Sequence, residues 1–138
     1  MKRVSPWVAA LTVAALSACG GDEEKPKPIS GPAKQVAATI TALERATAKR
    51  DFDTICDELL AAPVREQAGG GACPAQLRRT AAGVRDPRIA IRKIDIEGNK
   101  ATVAVTTRAR GQAPAEDTVV LVREEGQWRI SQLSAPKK

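Results

Sequence analysis

Cys19, Cys56 and Cys73 are the only thiols in this chain, which has neither histidine nor tyrosine. Acid–base chemistry would therefore fall to carboxylates or lysines. Asp51, Asp53, Asp57 and Glu58 cluster around a predicted helix start, where capping and the helix dipole account for them. Asp95 and Glu97 share one face of a predicted strand, opposite in parity to Ile94 and Ile96, and so read as solvent-facing. No serine has a base partner and no ligand spacing suits a metal. Gly69-Gly70-Gly71 lacks the Lys-Ser or Lys-Thr that a phosphate-binding loop needs. The sequence predicts no catalytic residue, metal site or cofactor site, and it reads as a non-enzyme.

The cysteines have other work to do. Lys2 and Arg3 precede an uncharged apolar run over residues 7–16, and small residues then lead to Cys19. That is the layout of a secretory signal, and the run is well short of the ~20 residues a membrane-spanning helix needs. Leu16-Ser17-Ala18-Cys19 resembles the lipobox of bacterial lipoproteins at every position. The resemblance implies diacylglyceryl transfer to the Cys19 thiol and cleavage between Ala18 and Cys19. The alternative is an ordinary signal peptide with a cysteine near its cleavage site. Residues 20–28 are polar and Pro-rich, with nothing to build a core from, and read as a flexible tether. The expected organisation is a signal peptide over 1–18, a lipidated cysteine and tether over 19–31, and one domain over 32–135. The expected location is the extracytoplasmic face of the cell membrane. With Cys19 carrying lipid, Cys56 and Cys73 remain, and outside the cytoplasm such a pair defaults to a disulfide. The alternative is two free buried thiols.

Behind the tether, about 105 residues are enough for a single core. The chain has 22 basic and 16 acidic residues, a formal charge of +6, and loss of Lys2 and Arg3 with the signal leaves +4. Arg78, Arg79, Arg85, Arg88, Arg92, Lys93, Lys100, Arg108 and Arg110 outnumber the acids around them. This stretch reads first as a solvated surface; a contact with anionic lipid or wall polymer is the alternative. Nucleic-acid binding is not expected, since stacking aromatics are missing and the compartment is wrong. Phe52 and Trp128 are the only aromatics behind the signal.

Four helices and four strands should organise this domain. Val36, Ile40, Leu43 and Thr47 recur at helical spacing and predict a helix over residues 32–50. Asp51 or Asp53 can cap a second helix over 52–61, with Phe52, Ile55, Cys56, Leu59 and Leu60 inward. Pro63 opens a short helix that ends at the three glycines. Cys73-Pro74 opens another, with Leu77, Ala81 and Val84 on its inner face. The period then changes. Ile89 and Ile91 lie on one parity and Ile94 and Ile96 on the other, so Arg92-Lys93 should contain a bulge. Turns at Gly98-Asn99 and Glu125-Gly126 join strands around Ala101-Val103-Val105-Thr107, residues 118–123, and Trp128-Ile130. The result is an α+β meander of four antiparallel strands with helices on one face.

The rhythm Ile94-Asp95-Ile96-Glu97-Gly98-Asn99-Lys100-Ala101-Thr102-Val103, and the closing Val120-Leu121-Val122-Arg123-Glu124-Glu125-Gly126-Gln127-Trp128-Arg129-Ile130, resemble the nuclear transport factor 2-like superfamily. They are most similar to its small lipoproteins from high-GC Gram-positive bacteria. The resemblance covers roughly residues 32–133. It implies a cone, in which a curved sheet wraps a long helix and leaves a cavity at the open end, with Trp128 a core residue inside. Enzymes of the superfamily work with buried Asp, Tyr and His, and this chain has no Tyr or His to match. The expected function is non-catalytic binding of a small apolar ligand or an envelope protein partner. An accessory interaction module with a filled cavity is the alternative, and an isomerase- or dehydratase-type enzyme comes third. An open apolar cavity of several hundred Å3 would favour ligand binding.

Overall fold

The computed structural model describes residues 31–134; the signal segment, Cys19 and nearly all of the tether lie outside them. Helix α1 (Pro32–Lys49) starts with proline in its first turn, where the missing N–H costs nothing. It ends at Arg50, which adopts the left-handed conformation at φ 57°. The Arg50 and Asp51 amides return to the carbonyls of Thr47 and Ala46, at 3.1 and 2.8 Å, a pattern that satisfies the last orphan carbonyls. Val36, Ile40, Leu43 and Ala46 are buried along one stripe, so Ala46 takes the inward place expected of the half-buried Thr47.

Asp51 caps α2 (Phe52–Thr54), accepting from the Thr54 amide at 3.2 Å and the Thr54 hydroxyl at 2.7 Å. The expected helix to residue 61 is not continuous. A single π turn over Ile55–Leu59 closes with the Leu60 amide donating to the Ile55 carbonyl at 2.9 Å. Leu60 is extended and bridges Ile130 in parallel, and the Ala61 amide donates to the Ile130 carbonyl at 2.8 Å. The chain leaves the helix because an exposed sheet edge offers partners for its backbone. All five residues of the predicted apolar stripe are nevertheless buried.

Helix α3 (Ala62–Gln67) and a tight turn over Gly70–Ala72 lead to α4 (Cys73–Thr80). Gly69 requires its φ of 106°, where a β-carbon would also press on the Gln76 side chain at 3.1 Å. Helix α4 is shorter than expected. Ala81 is its cap and Val84 lies beyond it, and Leu77, Ala81 and Val84 are only half-buried. The reason is that they border a space rather than a packed neighbour, as described below.

Strands β1 (Arg88–Glu97), β2 (Lys100–Arg108), β3 (Ala115–Glu124) and β4 (Gln127–Ser134) form one antiparallel sheet in chain order. The register of β1 on β2 shifts between Ile91 and Lys93, so all four isoleucines pack toward the core despite their change of parity. Strand β3 begins three residues earlier than the apolar run suggests, because Ala115, Glu116 and Asp117 pair with Thr107, Thr106 and Val105. A second shift lies at Val120/Leu121, where β4 carries the extra residue Ser131. Two bulges in a four-stranded sheet supply the bend that lets it wrap α1. Ala101, Val103, Val105, Val119, Leu121, Trp128 and Ile130 face that helix and complete the core. Helices followed by a curved antiparallel sheet are the architecture the sequence predicts.

Candidate functional site

The N-terminal half of α1 and the Trp128 end of the sheet close one end of the interior. Val36, Ile40 and Ile130 are at most 1% exposed there, and the Thr39 hydroxyl donates to the Trp128 carbonyl at 3.3 Å. Trp128 is itself buried, as expected of a core residue, and its Nε1 has no hydrogen-bond partner among the described residues. A hollow of about 500 Å3 beside it, bordered by Gln35, Thr39, Glu58 and Gln127, is shallow and open.

The other end holds a cavity of about 420 Å3. Its floor is Leu43 from α1, with Phe52, Ile55 and Leu60 from the second helical segment. Val64, Ala68, Leu77, Ala81 and Val84 form one wall, and Ile89, Thr107, Ala115 and Leu133 from the strand ends form the other. Volume and lining both suit a small-molecule site. The hydroxyls on the wall are already engaged. Thr47 donates to the Leu43 carbonyl at 2.7 Å, Thr80 to the Gln76 carbonyl at 2.9 Å, and Thr107 to Asp117 Oδ2 at 2.8 Å. Among the described residues no carboxylate lines the cavity, and the charged residues on it are Arg88 and Arg108, both at the rim and both exposed.

Cys56 and Cys73 are joined by a disulfide with a Cα–Cα distance of 6.1 Å, and both are fully buried. The bridge fixes the start of α4 to the π turn. Leu77, one turn further along α4, is thereby held on the cavity wall. Two contacts that the sequence does not announce also position the site. Glu44 Oε2 accepts from the Ile89 amide at 2.6 Å and ties α1 to the first residues of β1. Arg50 Nη2 donates to the Ala82 and Val84 carbonyls at 3.4 and 3.3 Å and holds the turn that ends the helical wall.

The candidate acids lie elsewhere. Asp51 is a cap, and hydrogen bonds from the Thr54 hydroxyl and then the Thr54 amide hold its carboxyl below the usual aspartate range. Asp57 pairs with Arg65 at 2.9 Å. Arg129 donates to the Asp57 and Glu58 carbonyls at 3.1 and 2.9 Å, satisfying the end of the π turn. Asp95 and Glu97 are exposed on the outer sheet face, where Asp95 meets Lys93 at 3.5 Å. Among the described residues no group of three His, Cys, Asp or Glu side chains could hold a metal ion, and no helix is long and apolar enough to cross a membrane.

The fold is nuclear transport factor 2-like. The chain superposes on a protein of that type of unknown function from Silicibacter pomeroyi with a TM-score of 0.53, at 18% identity over 72% of this chain and 90% of that one. A nuclear transport factor 2-like protein of unknown function from Shewanella baltica gives 0.51 at 13% identity, covering 76% and 94%. A SEC-C motif-containing protein from Rhodopseudomonas palustris gives 0.55 at 19% identity, covering 72% and 77%. Residues 74–132 match the family described as "Putative lumazine-binding". That segment spans nearly all of α4 and of the sheet and omits α1 and the second helical segment, so it includes most of both cavity walls and none of the floor. No curated protein matches the chain by sequence.

Proposed function

We propose that this protein is an extracytoplasmic lipoprotein, held at the cell membrane through lipidated Cys19, whose domain binds a small apolar ligand without transforming it. The apolar cavity of about 420 Å3 at the open end of the cone carries the reading. Binding is favoured because the wall offers apolar surface with its hydroxyls already engaged, so an apolar guest strands no hydroxyl there. Catalysis is disfavoured by the same wall. Among the described residues it consists of arginines, threonines, Gln112 and apolar side chains, which include no acid or base suited to proton transfer near neutral pH.

An interaction module with a filled interior is less well supported, because the side chains at this end leave the space open. The matched family's name invites a comparison with lumazine, a flat heterocycle with a polar edge. Among the described residues Phe52 is the only aromatic on the cavity lining, and the threonine hydroxyls are engaged, so a more apolar guest suits the wall better.

Acyl anchoring would fix where the ligand is met. Two or three chains, at about 0.8 kcal/mol per buried methylene, hold far more firmly than one. Replacing Cys19 by Ser should abolish incorporation of labelled acyl lipid, and persistence of the label would refute the anchor. Native mass spectrometry of the delipidated mature chain from its host tests the ligand. A co-purifying small molecule is expected; an empty protein that captures one envelope protein would overturn the reading.

A further inference from the structure

We infer that the cavity's ligand is an amphipathic anion, whose apolar part fills the cavity and whose negatively charged head is held at the rim by Arg88 and Arg108. The inference rests on the cavity being a ligand site. Arg88 and Arg108 are direct register partners at the last position of the β1–β2 ladder, one step beyond the inward pair Ile89 and Thr107. Their parity is outward, so their heads stand around the mouth rather than inside it, and both residues border the cavity. Like charges directly opposite each other on a ladder are unfavourable. Neither guanidinium has an ion-pair or hydrogen-bond partner among the described residues. Among the described residues, Glu44 and Asp86 border a separate hollow beside Arg88, but their direct partners are others: Glu44 accepts from the Ile89 amide, and Asp86 pairs with Arg110. An apolar cavity with two unpaired cations at its rim and, among the described residues, no lining carboxylate complements one chemistry, a carboxylate or phosphate on a compact apolar body. If each methylene-sized group takes roughly the 30 Å3 of a liquid water, the cavity volume corresponds to about fourteen heavy atoms. A single chain of about ten carbons is of that size, whereas a two-chain lipid is not.

The test is calorimetric titration of the soluble mature chain, carrying Cys19→Ser and its intact bridge, with decanoate, decyl phosphate and 1-decanol, each kept below aggregation. One anionic amphiphile or both should bind at least about tenfold more tightly than decanol, and added salt should weaken the anion alone. In the R88Q/R108Q variant that preference should vanish while decanol binding stays unchanged. Both arginines are exposed and unpaired among the described residues, so the variant should keep the wild-type melting temperature. Equal binding of decanol and both anions would overturn the charged-head inference and leave the apolar-ligand reading standing. A preference that survives in the double variant would overturn the assignment to this pair. No binding of any of the three would overturn both readings.

Discussion

The two ends of the interior are built from the same kinds of residue and packed to different purposes. At the closed end Val36, Ile40 and Ile130 leave almost no surface exposed. At the mouth Leu77, Ala81, Val84 and Ile89 are only half-buried, and they face about 420 Å3 of space. Leu43, Phe52, Ile55 and Leu60 form the layer between, buried in the core and lining the cavity at once. Stability is thereby concentrated where nothing has to enter, and the wall that must admit a guest contributes less to holding the fold. The sharpest way to break this comparison is a matched pair of truncations. Ile40→Ala should cost about 2–5 kcal/mol in urea unfolding, because a packed site cannot collapse around the lost atoms. Leu77→Ala should cost about 1 kcal/mol, since that side chain is only half-buried and faces open space. Equal losses would mean that the mouth is as tightly packed as the closed end.

The disulfide gives the next effect. Cys56–Cys73, at a sequence separation of 17, closes a loop that carries α3 and the glycine turn, with Val64 and Ala68 of the helical wall, and anchors the start of α4. In the chain-entropy account such a loop is worth about 3 kcal/mol. The Cys56→Ala/Cys73→Ala pair should lose that amount, and native-state hydrogen exchange should locate the loosening. Amides of α3 and α4 should lose protection well before those of β2 and β3. Uniform loss over the whole chain would show that the bridge supports the closed end equally.

Much of the closed end was legible in the sequence because its signals are local. Helical spacing marks Val36, Ile40 and Leu43, alternation marks Ala101, Val103 and Val105, and the parity change among the four isoleucines marks the bulge at Arg92. The second bulge had a similar signal, since Trp128 and Ile130 share a parity that Leu133 does not. The mouth was harder to read. The side chains around an empty volume are the same types that fill a core, so Leu77, Ala81 and Val84 look like an inner helix face. The π turn, the Leu60–Ile130 bridge and the Glu44–Ile89 contact each depend on a partner far along the chain. The Arg88–Arg108 juxtaposition follows only once the strand register is known. Without it, both arginines disappear into a general basic excess.

The smallest effect belongs to Asp51, on the exposed link between α1 and α2, and it tests whether the cap acts through its charge. Hydrogen bonds from the Thr54 hydroxyl and amide favour the ionised carboxyl, so its folded-state pKa lies below the ordinary 3.8. A lowered pKa contributes stability that is fully present above the unfolded value and is lost as pH falls through the folded one. Asparagine caps almost as well as aspartate but cannot ionise, so Asp51→Asn isolates this contribution. Wild type should melt slightly higher than the variant near pH 6, with the gap unchanged down to about pH 5. The gap should then close as pH falls below 3.8, where the wild-type carboxyl takes up its proton. Melting temperatures across that range are the measurement. A gap that persisted in strong acid would assign the cap to shape rather than charge. In either case the exposed link would contribute far less than Ile40, as expected if solvent weakens at the surface what packing secures inside.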